Sequence, residues 1–149
     1  MKNTDTVGAL LRDKTSVIHS IPPTATVLDA IALMAERNIG ALPVLQGKRL
    51  VGMFSERDYT RKIVLMGRTS RDTQVGEIMT HNPVTVGPGA TVTECMEIMT
   101  EERVRHLPVI EDGELVGIVS IGDLVKWIIS AQSATIEHLT RYVFGEQIG

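Results

Sequence analysis

Two short motifs carry the side chains best suited to hold a polar ligand: Ser55-x-x-Asp58 and Ser120-x-x-Asp123. A carboxylate at a helix start can accept two hydrogen bonds from a vicinal diol. A serine hydroxyl beside unpaired helix N–H groups can hold a phosphate. Cationic or titratable side chains accompany them, namely Lys14, His19, Arg57 and the pair Arg105-His106. Alone, Ser-x-x-Asp is equally a capping box, in which hydroxyl and carboxylate only close a helix end. Context shifts the reading toward ligand contact, because both motifs follow the same tripeptide, Leu50-Val51-Gly52 and Leu115-Val116-Gly117.

Other chemistries find no support. Four histidines and one cysteine show no metal-ligand spacing. Neither a P-loop nor a G-x-G-x-x-G turn occurs. There is no nucleophile elbow and no other catalytic constellation, so a binding protein rather than an enzyme is expected. His19 reads as a half-buried strand histidine, while His81 and His138 read as exposed. Cys95 falls on an apolar helical stripe and reads as a buried structural thiol. The formal net charge of −3 offers no basic surplus for a nucleic acid. No apolar run approaches the ~20 residues that span a bilayer, and residues 1–5 lack the apolar core of a signal peptide. A lone cysteine suits a reducing compartment, so a cytoplasmic protein is expected.

The elements that must position these motifs occur twice. Ala25-Thr26-Val27 recurs as Ala90-Thr91-Val92, 65 positions on. The same offset carries Leu42-Pro43-Val44 onto Leu107-Pro108-Val109, and Ser55 and Asp58 onto Ser120 and Asp123. Each copy reads as β-α-β-β-α. Thr26 and Thr91 resemble helix caps, with Asp29 and Glu94 in the first turns. Behind them run the apolar stripes Val27, Ala30, Ile31, Met34 and Val92, Cys95, Met96, Met99. Two short β-branched runs with a Gly-containing turn follow, at residues 42–54 and 107–119. A second helix closes each copy, from about Asp58 to Met66 and from about Asp123 to Ala131. With 43% hydrophobic residues, of which few are aromatic, the chain can build a core. One copy alone leaves a sheet face in water, whereas two copies cover each other. The expected fold is therefore α/β (α+β), with two pseudo-twofold related repeats packed sheet to sheet. The organisation is 7–66, a linker at 67–77, 78–131, and a C-terminal segment at 132–149. In that segment Ile136, Leu139, Thr140 and Val143 make a helical stripe, from about Ser133 to Phe144 and stopped by Gly145. Its apolar face packs on its own repeat or across a dimer.

This pattern resembles the cystathionine β-synthase (CBS) domain, and the tandem resembles a CBS pair, or Bateman module, over roughly residues 7–130. The resemblance implies regulatory adenine-nucleotide binding in two clefts between the repeats. AMP is the leading ligand, with ADP, ATP, NAD or S-adenosylmethionine as alternatives and no required cofactor. One cleft would use Lys14, Thr15, Ile18 and His19, then Gly40, Ala41, Leu42 and Pro43, with Ser120 and Asp123. The other would use Thr80, Pro83 and Val84, then Arg105, His106, Leu107 and Pro108, with Ser55, Arg57 and Asp58. His19 stands where the second repeat has Val84, and Glu56-Arg57 stand where it has Ile121-Gly122, so unequal clefts are expected. On its cations the second cleft is expected to hold a phosphate more firmly. The resemblance also implies a homodimer, with a flat disc of four repeats, and an effector protein acted on in trans. A purely structural dimer with empty clefts is the competing class.

Overall fold

The computed structural model describes residues 4–14 and 17–131. The C-terminal stripe at 133–144, His138 and Thr15 lie outside the described residues. In chain order the elements are α1 (Val7–Asp13), α2 (Val27–Arg37), β1 (Ala41–Gln46), β2 (Arg49–Ser55), α3 (Glu56–Asp58), a π-helix (Tyr59–Val64), α4 (Val75–Ile78), β3 (Thr80–His81), α5 (Val92–Glu102), β4 (His106–Glu111) and β5 (Glu114–Ser120). Residues 121–131 then form α6.

Local chemistry explains most boundaries. Thr26 and Thr91 cap α2 and α5, their side chains accepting from the amides of Asp29 and Glu94. Glu94 completes the reciprocal bond to Thr91. Both helices end on a left-handed residue, Asn38 and Arg103, at equivalent places in the two repeats. β1–β2 and β4–β5 are antiparallel hairpins, each with a bulge after Val44 or Val109. The β4–β5 turn places both Asp112 and Gly113 at positive φ, as a type I′ turn requires. The second helix of the first repeat differs from expectation. It opens as α3 and continues in π register, with the Leu65 amide on the Thr60 carbonyl.

The expected leading strand of each repeat shrinks to one parallel bridge, Ile21 to Val44 and Val86 to Val109. Each bridging residue donates to one proline carbonyl, Pro43 or Pro108, and accepts from the amide of Leu45 or Ile110. Pairing goes no further because a proline without an N–H, Pro23 or Pro88, stands two residues beyond each bridge.

Two apolar clusters form the core. One gathers α2, β1, β2 and the π-helix around Phe54 and Leu42; the other gathers α5, β4, β5 and α6 around Leu107 and Leu124. The helices that precede each repeat are exchanged between them. Val7 and Leu10 of α1 lie in the second cluster, and Val75 and Ile78 of α4 lie in the first. Matching backbone bonds hold both. Val7 and Gly8 donate to Ala90 and Pro88, while Val75 and Gly76 donate to Ala25 and Pro23. The residue after each pair of core contacts seals a hairpin: Met79 lies on Gly52 and Leu11 on Gly117. A β-carbon on Gly52 would stand 2.5 Å from the Met79 sulfur and 2.8 Å from the Thr80 carbonyl oxygen, so only glycine fits. β2 and β5 lie in contact, which brings the two hairpins together across the pseudo-twofold.

This exchange predicts where damage spreads. Leu10→Ala should lower stability by about 2–5 kcal/mol, as for other buried leucines. Hydrogen exchange should accelerate in β4 and β5 while β1 and β2 keep their protection. Loss confined to β1 and β2 would contradict the exchanged packing.

Candidate functional site

Both Ser-x-x-Asp motifs cap a helix, so the capping reading is correct as geometry. Ser55 Oγ accepts from the Asp58 amide at 3.3 Å, and Asp58 Oδ2 accepts from the Ser55 amide at 3.0 Å. Ser120 Oγ accepts from the Asp123 amide at 3.0 Å, and Asp123 Oδ2 accepts from the Ser120 amide at 2.8 Å. Beyond the cap the two acids part company.

Asp58 is enclosed. Its residue exposure is 6%, and both carboxylate oxygens are engaged. Oδ2 also accepts from the Ser55 hydroxyl, and Oδ1 accepts from the Thr80 hydroxyl and faces the Lys62 ammonium at 3.1 Å. Lys62 sits one turn further along the same helical segment, the natural spacing for an ion pair.

Asp123 instead lines a cavity of about 430 Å³ between the repeats. Lys14, Ile18, His19, Ala41, Pro43 and Ser120 share its wall, as the first-cleft reading expects. The Lys14 ammonium lies 2.8 Å from Asp123 Oδ2 and also donates to the Ile118 carbonyl at 3.0 Å. Burial by itself would push the Asp123 carboxyl up, but the Lys14 ammonium and the Ser120 donors together hold it below the ordinary carboxylate value.

Several expected residues lie elsewhere. His106, assigned to the second cleft, lines the same cavity as Asp123. It does so because the pseudo-twofold brings the start of β4 beside Gly40, whose β-carbon would lie 3.5 Å from the His106 ring. Leu42 and Leu107 are fully buried in the two cores, so their side chains face no cleft. Pro43 and Pro108 are also buried, yet Pro43 reaches the cavity wall. Arg57 turns to the Arg103 carbonyl at 2.6 Å, and Arg105 and Val84 are exposed while Pro83 is half-buried. The second set therefore gathers Ser55, Thr80 and Asp58 into a closed hydrogen-bonded group.

Leu11, Val17, Arg37, Asn38 and Ile39 also line the cavity, with residues 116–118 of β5. Leu11 and residues 116–118 arrive there through the exchanged packing of α1 on β5. Arg37 and Asn38 arrive because α2 ends at the cleft mouth; the left-handed Asn38 marks that end. Lys14 and Arg37 are its basic side chains, with His19 and His106 as neighbours and Asp123 as its acid. Burial lowers the His106 pKa below its ordinary 6.5; Asp123 and Glu56 oppose this, and Lys14 and Arg105 add to it. Cys95 is buried in the second core, where burial and the Glu94 charge push its thiol up to about 11. It stays protonated at neutral pH and does no thiolate chemistry. Among the described residues no cluster of His, Cys, Asp or Glu could hold a metal ion.

The CBS-domain profile matches residues 9–65 and 75–130. The CBS domain-containing protein CBSX3, mitochondrial, of Arabidopsis thaliana is 42% identical over 125 residues, covering 80% of this chain. The chain spans 61% of that relative's length. YhcV of Bacillus subtilis, also a CBS domain-containing protein, is 32% identical over 120 residues, covering 80% of this chain and 85% of its own. An inosine-5'-monophosphate dehydrogenase from Korarchaeum cryptofilum matches over only 21% of its length. The crystal structure of the CBS domain NE2398 superposes with a TM-score of 0.80 at 47% identity, covering 83% of this chain and 97% of that one. The crystal structure of CBSX2 in complex with AMP gives a TM-score of 0.71 at 26% identity, over 85% of this chain and 98% of that one.

Two measurements check the site's electrostatics. Asp58→Ala should cost about 1–3 kcal/mol in urea unfolding, because it strips four donors of a buried acceptor. Asp123→Ala should cost less, its carboxylate being partly solvated. The second measurement is pH. A lowered folded-state pKa on Asp123 means its ion pair stabilises fully above the ordinary carboxylate range and fades as pH falls through the folded-state value. His106, also lowered, favours the fold above 6.5 and loses that contribution as pH falls from there. His106→Gln should flatten the stability profile just below pH 6.5, with an unchanged slope there counting against it.

Proposed function

The chain belongs to the CBS-domain family, and from that premise we propose that it is a regulatory pair of repeats, not an enzyme, that senses an AMP-like adenine nucleotide in the Asp123 cleft. The observation that carries this is the placement of a partly solvated carboxylate, Asp123, on the wall of an inter-repeat cavity. A volume of about 430 Å³ suits a small-molecule site. Val17, Ile18, Ile39 and Val116 supply apolar flanks for a purine, and the backbone of β1 and β5 supplies amides and carbonyls. Asp123 would accept the ribose diol, and Lys14 and Arg37 would answer an anionic tail. The likeness to CBSX2, solved with AMP, supports the same choice. Asp58, saturated by its own neighbours, is the weaker candidate, which reverses the ranking of the clefts by cation count.

Occupancy bridges both repeats, since Ile18, His19 and Ala41 come from one and Ser120 and Asp123 from the other. A ligand then shifts their relative arrangement by its differential affinity for two states. The proposed assembly is a homodimer acting on an effector protein in trans. Val64, Leu65 and Met66, exposed at 56%, 72% and 71%, offer an apolar ridge for association. The proposed compartment is the cytoplasm, consistent with the unpaired Cys95. Among the described residues no helix is long and apolar enough to cross a membrane.

A thermal-shift panel with AMP, ADP, ATP, NAD and S-adenosylmethionine tests the proposal. A ligand at 100 times its Kd should add about 2.7 kcal/mol of stability. Asp123→Ala should abolish the shift and Asp58→Ala should retain it. Silence from every ligand at millimolar concentration would leave the structural-dimer class in its place.

A further inference from the structure

Asp58 and Asp123 are equivalent in sequence but take their countercharge from different places. Asp58 is neutralised by Lys62, on its own helical segment. The residue equivalent to Lys62 in the second repeat is Trp127, whose indole N–H bonds Asp5 instead. Asp123 therefore borrows its cation from Lys14, 109 positions away, at the end of α1. The contacts from Lys14 Nζ and from the Ser120 amide both fall on Oδ2 of Asp123. The Lys14 side chain is 33% exposed and that of Asp123 is 26% exposed, so the pair stands open to the cavity that both line.

We infer that Lys14 determines specificity in this cleft by exchanging partners, from the Asp123 carboxylate to a phosphate of the bound ligand. The inference rests on the nucleotide reading above and deepens it. A diol that takes both carboxylate oxygens of Asp123 competes at Oδ2 with the ammonium already there. Displaced without an anion, that ammonium keeps only the Ile118 carbonyl, and a half-buried cation left unpaired is costly. A phosphate carried by the same ligand restores the pair. The lysine's flexible four-carbon stem lets the ammonium swing from one oxygen set to the other while its Cα stays fixed. The cleft thus rejects unphosphorylated nucleosides even though it satisfies their base and ribose. The cost of displacement falls on the nucleoside alone. Lys14 is also the residue that ends α1, its amide bonded to the Leu10 carbonyl, and it directly precedes the segment that carries Ile18 and His19 into the same cavity. Partner exchange at Lys14 is therefore felt by both repeats.

Calorimetric titration of adenosine and of AMP into the full chain, at fixed salt, tests this. The wild-type protein should bind AMP more tightly than adenosine by about tenfold or more, the worth of one charge-assisted bond. Lys14→Met should weaken AMP and leave adenosine unchanged or tighter, collapsing the ratio. Lys14→Gln, which keeps a donor but no charge, should collapse it too and serves where the Met variant folds poorly. Lys14→Arg should keep most of it. If Lys14 is only a strut between Asp123 and Ile118, its replacements weaken both ligands alike and preserve the ratio, which overturns the exchange. Failure of both ligands to bind the wild-type protein overturns the nucleotide reading itself, and the exchange with it.

Discussion

The structure depends on the crossing of two short helices. α1 and α4 each precede one repeat and complete the other's core, through valine and leucine or isoleucine side chains and a pair of backbone bonds to a Pro-x-Ala corner. Burial of those side chains is the dominant favourable term. It is available only when both repeats are present and correctly placed. The same crossing brings Leu11 onto Gly117 and Met79 onto Gly52, so each hairpin is covered at the one point where a side chain would not fit. A cavity between the repeats is then a by-product of packing that the core has already fixed.

Near-symmetry makes the differences informative. Both acids cap their helices in the same way, and both stand beside the end of an exchanged segment. On the first side that segment continues as β3, pairs with β2, and offers the Thr80 hydroxyl to Asp58. On the second side no strand occupies the equivalent edge among the described residues. The Lys14 ammonium bonds the Ile118 carbonyl there, at the position equivalent to Met53, which pairs with Thr80. A two-residue strand and one lysine thus do the same hydrogen-bonding task, but only the lysine leaves space and charge behind. That single substitution of means separates a sealed acid from an accessible one.

Much of this was legible from spacing. An ungapped offset of 65 disclosed two repeats, their hairpins, the threonine caps and the apolar stripes, because helix caps and periodicity are local properties. Part of the Asp123 cleft was legible too: Lys14, Ile18, His19, Ala41, Pro43, Ser120 and Asp123 sit at motif positions, whereas Arg37, Ile39, Val116 and the other lining residues carry no motif. The crossing lies outside that frame, although the sequence carries its signal. Val7-Gly8 recurs as Val75-Gly76, at an offset of 68 rather than 65, so it falls outside the repeat frame. Leading strands were overestimated because β-branched residues suggest extension, whereas the prolines behind them forbid pairing beyond one bridge. His106 lines the Asp123 cavity rather than a cleft beside Asp58, and Asp58 is enclosed by its own neighbours. Both placements depend on which side of a pseudo-twofold axis a side chain faces, which is a property of tertiary packing that no local pattern encodes.

The crossing also governs how the molecule can be taken apart. A cut in the polar stretch 67–73 would sever the repeats as the sequence divides them, yet each fragment would carry the other's missing helix and lack its own. Neither piece is a self-sufficient folding unit, and the two are built to recombine as complementary fragments. Transplanting one repeat alone into another scaffold would fail for the same reason, unless the foreign leader supplied a Val-Gly-x-Leu or Val-Gly-x-Ile plug.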